Sequence, residues 1–160
     1  MPRRITENRK PKPENPECAR AWQVLRLAHD RVARRLTSEL DRQCDLTISD
    51  FDVLLHLRLH DEREVRMQDL SGAVLLSQPA LSRLVARLVE RELIERSHAA
   101  DDGRAVLIRL TAAGRDLADR AIEVHTRSVE EELISRLSEG EQDMLLNALN
   151  RISADPEPLS

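Results

Sequence analysis

The stretch Leu76-Ser77-Gln78-Pro79-Ala80-Leu81-Ser82-Arg83-Leu84-Val85-Ala86-Arg87-Leu88 decides how this chain is read. Leu81, Leu84, Val85 and Leu88 recur at three- and four-residue steps and define one apolar helix face. Ser77 stands where an N-cap belongs, and Pro79 in the first turn loses nothing by lacking an N–H. At about 100° per residue, the opposite face carries Pro79, Ser82, Arg83 and Ala86, with Gln78 and Arg87 at its margins. Upstream, Met67, Leu70 and Val74 repeat at helical spacing, so 67–74 reads as a short helix with a poorly capped start. The turn at Val74–Leu76 joins the two into a helix-turn-helix.

Downstream of Leu93 the period changes from helical to extended. Ile94–His98 and Ala105–Leu110 read as short strands, and Asp102-Gly103 between them is a strong hairpin signal. A helix-turn-helix followed by such a hairpin is a winged helix, an architecture matched to duplex DNA. One helix fits the major groove, and a hairpin with a basic tip can enter the adjacent minor groove.

Further outward, Trp22, Leu25, Ala28 or His29, Val32, Leu36 and Leu40 form one stripe on a first helix from Glu17 to about Gln43. Thr47 and Asp50 make a capping box for a second, largely buried helix through Phe51, Val53, Leu54, Leu55 and Leu57 to about His60. Residues 61–66 read as a polar connection. Thr111 caps a long fifth helix running from Ala112 to about Leu137. Ser138 and Glu141 then open a sixth helix through Met144, Leu145, Leu149 and Ile152. The expected class is mainly α with a small β-hairpin wing.

Composition bounds the function. The chain has 160 residues, enough for one domain plus an oligomerisation element. Trp22 and Phe51 are its only aromatic residues, so modules that stack unpaired bases are excluded. Four scattered glycines exclude a P-loop or a dinucleotide cradle. No Ser-His-Asp or Cys-His set emerges, and no enzyme or cofactor is expected. There is no apolar run of roughly 18 residues and no leader, so neither membrane insertion nor export is expected. Cys18 and Cys44 form no disulfide framework, which points to a reducing cytoplasm.

The net charge of -4 argues against a polyanion partner only if it is spread evenly, and it is not. Residues 111–160 hold eleven acids against five arginines. Residues 77–110 hold six arginines against five acids, and 1–13 hold five basic residues against one acid.

The chain resembles the MarR family of winged-helix transcriptional regulators. The resemblance runs from about Trp22 to Ile152. It is carried by Leu46-Thr47-Ile48-Ser49-Asp50-Phe51-Asp52-Val53-Leu54, by Leu76–Val85, and by Leu93-Ile94-Glu95-Arg96. Most specific is Asp102-Gly103-Arg104, followed through Leu110-Thr111 to Gly114, the D-x-R and L-T-x-x-G of the wing and fifth helix. The resemblance implies a homodimer paired through the first, fifth and sixth helices, which presents two winged domains to a pseudo-palindromic operator. Leu133, Ile134, Leu137, Met144, Leu145, Leu149 and Ile152 give the C-terminal helices the apolar content such pairing needs. The organisation expected is a basic tail (1–16), a first dimerisation helix (17–45) and the winged DNA-binding region (46–111). C-terminal dimerisation helices (112–153) and a second tail (154–160) complete it.

The roles expected follow residue by residue. Ser77, Gln78, Pro79, Ser82 and Arg83 face the groove, with Arg83 reading guanine and Gln78 adenine. Arg87 reaches phosphate, Arg104 is the wing-tip arginine, and Asp102 orients basic groups near it. The resemblance also implies a repressor relieved by a small lipophilic or aromatic-acid effector, bound between the dimer seam and the winged domain. Trp22, His29, His56 and His60 are the candidate ligand contacts, and Phe51 is expected to be core. His56 and His60 share a helix face, as a metal pair would, but no further ligands complete a zinc set. Cys18 lies near the position that peroxide sensors of the family use, but this chain lacks their tyrosines. Cys44 is expected to pack as a small hydrophobe. A metal- or redox-responsive regulator, and a ligand-binding dimer without DNA binding, are the alternative readings.

Overall fold

The computed structural model describes residues 16–61, 63–74, 76–98 and 105–153. Helix α1 spans Pro16–Cys44 and helix α2 spans Ile48–Leu59. The start of α2 is fixed by the expected capping box. The Thr47 hydroxyl accepts from the Asp50 N–H at 3.2 Å, and the Asp50 carboxylate accepts from the Thr47 N–H at 3.0 Å. Two orphan donors are thereby satisfied within one turn.

Strand β1, Val65–Arg66, follows and leads into α3, Met67–Ala73, and α4, Gln78–Glu90. Strands β2, Ile94–His98, and β3, Val106–Leu110, pair antiparallel from Ile94↔Leu110 to His98↔Val106. β1 pairs with the far edge of β3, with Val65 opposite Ile108, so the sheet order is β1-β3-β2. The expected wing was a two-stranded hairpin with 61–66 as connection; the structure adds a third strand there. Two residues are too short to show alternation, and this strand exists only because β3 offers an open edge. The Asp102-Gly103 turn lies outside the described residues.

Helix α5 runs Ala112–Glu132, is followed by one 3-10 turn at Ile134–Arg136, and gives way to α6, Glu139–Ser153. The fifth helix therefore stops short of the Leu137 expected from its periodicity. No Pro or Gly marks the break. Instead, the Ser135 hydroxyl donates to the Glu131 carbonyl at 3.1 Å and Arg136 Nε to the Glu132 carbonyl at 2.9 Å. These side chains satisfy carbonyls that a further turn of helix would have used. The Ser138–Glu141 pair forms as expected on its acidic side, with the carboxylate accepting from the Ser138 N–H at 2.9 Å.

The core lies beneath the winged region. Phe51, Leu54 and Leu57 of α2 meet Leu81, Val85 and Leu88 of α4, Ile94 and Ile108 of the sheet, and Ala118 and Ala121 of α5. Each Leu, Ile, Val or Phe side chain among them contributes about 1.5–3 kcal/mol on burial. Phe51 is buried, as expected, and its ring stacks on His125 at 4.7 Å.

The C-terminal end of α4 closes in a Schellman arrangement. Leu93 N–H bonds the Leu88 carbonyl at 3.0 Å and Glu92 N–H the Val89 carbonyl at 2.9 Å, with Glu92 in the left-handed region at φ 57°. The chain then turns under the start of α5. Thr111 caps α5 by accepting from the Gly114 N–H at 2.9 Å, while its hydroxyl donates to the Glu92 carbonyl at 2.7 Å. A Cβ on Gly114 would stand 1.9 Å from the Leu93 carbonyl oxygen. The L-T-x-x-G pattern is thus a clasp: threonine ties α5 to the end of α4, and glycine lets the two backbones touch.

Candidate nucleic-acid interface

Helix α4 buries Leu81, Leu84, Val85 and Leu88 and turns the other side of the cylinder to solvent. Ser77, Gln78, Pro79, Ser82, Arg83 and Arg87 are all exposed, so the face expected from the sequence is the face presented. Ser77 occupies the N-cap position, but its side chain makes no capping hydrogen bond, contrary to expectation. The first-turn N–H groups of α4 are therefore left without that acceptor. Donors of this kind, at the positive end of a helix dipole, suit an anion.

Gln78 Nε2 donates to the Ser71 hydroxyl of α3 at 2.7 Å, which ties the two helices of the motif together across their turn. Its amide keeps a second N–H and a carbonyl for other partners. Arg83 has no ion-pair or hydrogen-bond partner among the described residues. Arg87 is different: its guanidinium is engaged by the Asp50 carboxylate, which is 2% exposed. Asp102 and Arg104 lie outside the described residues. Arg63, Arg66 and Arg96 are further exposed cations without an ion-pair partner among the described residues, and nothing in their spacing singles them out in the sequence.

The exposed face of α4 and the sheet behind it constitute a winged helix-turn-helix. The MarR family model matches residues 45–105, from the corner before α2 into the wing. The transcriptional regulator HosA of Escherichia coli is 29% identical over 133 residues, which cover 83% of this chain and 94% of that protein. Sco3205 of Streptomyces coelicolor, a MarR family regulator crystallised with DNA, superposes with a TM-score of 0.83 at 22% identity, over 94% of both chains.

This chain carries a MarR-family domain over residues 45–105.

The proteins it resembles here are transcriptional regulators. BpsR of Bordetella bronchiseptica, whose DNA binding is regulated by 6-hydroxynicotinic acid, has the same fold. Its TM-score is 0.71 at 24% identity, over 84% of this chain and 99% of that one. No helix among the described residues is long and apolar enough to cross a membrane.

The candidate ligand residues do not converge within one protomer. Trp22 on α1 is 67% exposed, and His29 is exposed beside Asp30 at 3.4 Å. His56 and His60 lie together at the end of α2, with ring centroids 4.5 Å apart, and His60 Nδ1 lies 2.8 Å from the His56 carbonyl oxygen. His56 lines two shallow cavities of about 290 and 330 Å³, and neither reaches Trp22 or His29. No cluster of metal-ligating side chains occurs among the described residues. Cys44 is buried, and burial pushes its thiol pKa up, which keeps it protonated and inert.

His125 is a titratable group that the sequence did not single out. It lies midway along α5 against Phe51, and no motif distinguishes it from a surface histidine. Burial holds its pKa below the ordinary histidine value, with Asp52 pulling weakly the other way. Burial also lowers His56, reinforced by His60 and opposed by Asp69. A histidine with a depressed folded-state pKa stabilises fully above its unfolded value near 6.5 and loses that contribution as pH falls through the folded value. The melting temperature should therefore fall as pH drops below about 6.5. A His125→Gln variant should show a flatter profile from pH 7 to 5 in a thermal-melt series, and an unchanged slope would refute the assignment.

Proposed function

We propose that the chain is a homodimeric, sequence-specific repressor of the MarR type whose DNA binding is relieved by a small lipophilic or aromatic-acid effector. The observation that carries the DNA-reading part is the exposed Arg83, without a partner among the described residues, on the solvent face of a helix whose opposite face is buried. In this reading Arg83 takes guanine O6 and N7, Gln78 an adenine edge, and Ser77, Pro79 and Ser82 the adjoining groove wall. The Asp102–Arg104 tip enters the minor groove beside it.

Dimerisation is supported by apolar surface that one protomer leaves uncovered. Val24, Leu25 and Leu27 of α1 and Met144, Leu146 and Ile152 of α6 are exposed, and no residue of α6 is buried. Two winged regions related by a twofold axis would place recognition helices about 34–36 Å apart, one turn of DNA. Trp22 and His29 belong to the same seam, so an effector site using them would be completed by the second copy. The repressor assignment rests on family likeness, and effector relief on the regulation of BpsR by 6-hydroxynicotinic acid.

The test begins with a duplex selected from a random-sequence pool by the unaltered protein. Arg83→Ala should weaken binding to that duplex by about 1–3 kcal/mol at fixed salt and relax the preference at one base pair. Equal binding by both proteins would overturn the groove assignment. Titrating aromatic carboxylic acids into the complex tests relief; no release by any of them would remove that part.

A further inference from the structure

Arg83, Arg87 and Arg91 stand four residues apart along α4 and its cap, so they share one strip of the helix. Their partners differ. Arg83, nearest the N-terminal end, has none among the described residues. Arg87 donates to Asp50 Oδ1, and Arg91 Nη2 donates to Asp45 Oδ2 at 3.2 Å. Both acids belong to the corner that joins α1 to α2. Asp45 follows the last residue of α1 with φ 53°, in the left-handed region where aspartate is tolerated. Asp50 is fully used: Oδ2 accepts from Thr47 N–H at 3.0 Å and Thr47 Oγ1 at 2.7 Å, while Oδ1 holds Arg87. One buried carboxylate thus starts α2 and grips α4.

We propose that Arg87 and Arg91 are positioning residues that clamp the recognition helix to the α1–α2 corner and so set the angle at which Arg83 and Gln78 meet the bases. This assignment rests on the DNA-reading function proposed above, and it moves Arg87 from phosphate contact to support. The Arg87 pair dominates, because its loss leaves a desolvated carboxylate without a counter-charge. The Arg91 pair is the weaker, because Asp45 is almost fully exposed and screened by water. Hydrogen bonds to base edges tolerate only a few tenths of an ångström, so a small tilt of α4 loses them while loose phosphate attraction survives. The clamp also makes α1, the proposed dimer helix, part of the support against which the reader is held.

The experiment uses the full-length chain, well below its melting transition, with the selected duplex and a scrambled one of equal length. Arg87→Met and Asp50→Asn should each weaken binding to the selected duplex about tenfold. Binding to the scrambled duplex, and the slope of log affinity against log salt, should stay unchanged. The double variant should be no weaker than the worse single variant, and Arg87→Lys should recover most of the loss. A fall of about one in the salt slope for Arg87→Met, with both duplexes weakened alike and Asp50→Asn unaffected, would make Arg87 a phosphate contact and overturn the clamp. Unchanged affinity in every variant overturns it too. If Arg87→Met loses its helical circular dichroism, Asp50→Asn against Arg87→Lys decides by the same readouts. Failure of the unaltered protein to distinguish the two duplexes instead overturns the DNA-reading function itself.

Discussion

Gly114→Ala should lower the melting temperature by about 10 °C, although the substitution places the better helix former inside a helix. Helix propensity alone favours alanine by about 1 kcal/mol. Against this, the new Cβ would stand 1.9 Å from the Leu93 carbonyl oxygen, well inside contact distance. That oxygen is backbone, and it accepts from Thr111 N–H at 3.1 Å, so it cannot swing away as a side-chain tip would. Relief requires α5 to lift from the end of α4. That costs the Thr111 clasp and part of the Leu110 and Leu117 packing, roughly 3 kcal/mol net at the upper end of overpacking costs. For a chain of this size each kcal/mol moves the midpoint by about 2–4 °C. Gly72→Ala serves as the control, because nothing lies within 4 Å of its added Cβ. Equal melting temperatures for the two variants would refute the clasp.

Placing charge on the uncovered apolar faces should separate the proposed dimer without unfolding the protomer. Trp22→Glu combined with Ile152→Glu alters two side chains that are 67% and 71% exposed in the single chain. Such surface changes shift protomer stability by about 0.5 kcal/mol or less. In a dimer sealed by these helices they would bury two unpaired carboxylates per copy, and several kcal/mol per buried ion exceeds what the remaining contacts can offset. Sedimentation equilibrium should then report a monomer at concentrations where the unaltered chain is a dimer. Operator affinity should fall by at least about 100-fold, because the second half-site no longer binds at high effective concentration. A variant that still sediments as a dimer would place the seam elsewhere.

Much of the fold was legible because its signals are local. Thr47 with Asp50 and Thr111 with Gly114 are hydrogen-bonded over three residues, and the leucine spacing of α4 marks its buried face within four turns. The short α3 and the strands β2 and β3 were recognisable for the same reason. Three features went unread. β1 is two residues long and owes its existence to an edge more than forty positions away. The end of α5 is made by Ser135 and Arg136 bonding back to carbonyls, which their identity does not announce. Ser77 holds the N-cap position that its type predicted, yet leaves the cap unmade.

The candidate interface divides along the same line. Sequence was enough to place Gln78, Ser82 and Arg83 on a common exposed face, because a helix converts spacing into direction without help from the rest of the molecule. It placed Arg83 on that face and Arg87 at its margin, but it could not show that Arg87 is held by a buried carboxylate. Only the tertiary fold brings Asp50 from 37 residues away to Arg87 and leaves Arg83 without a partner among the described residues. The reason is physical: helix geometry and capping are settled within a turn or two of chain, whereas the role of a charge depends on which opposite charge folding delivers to it and how far both are removed from water.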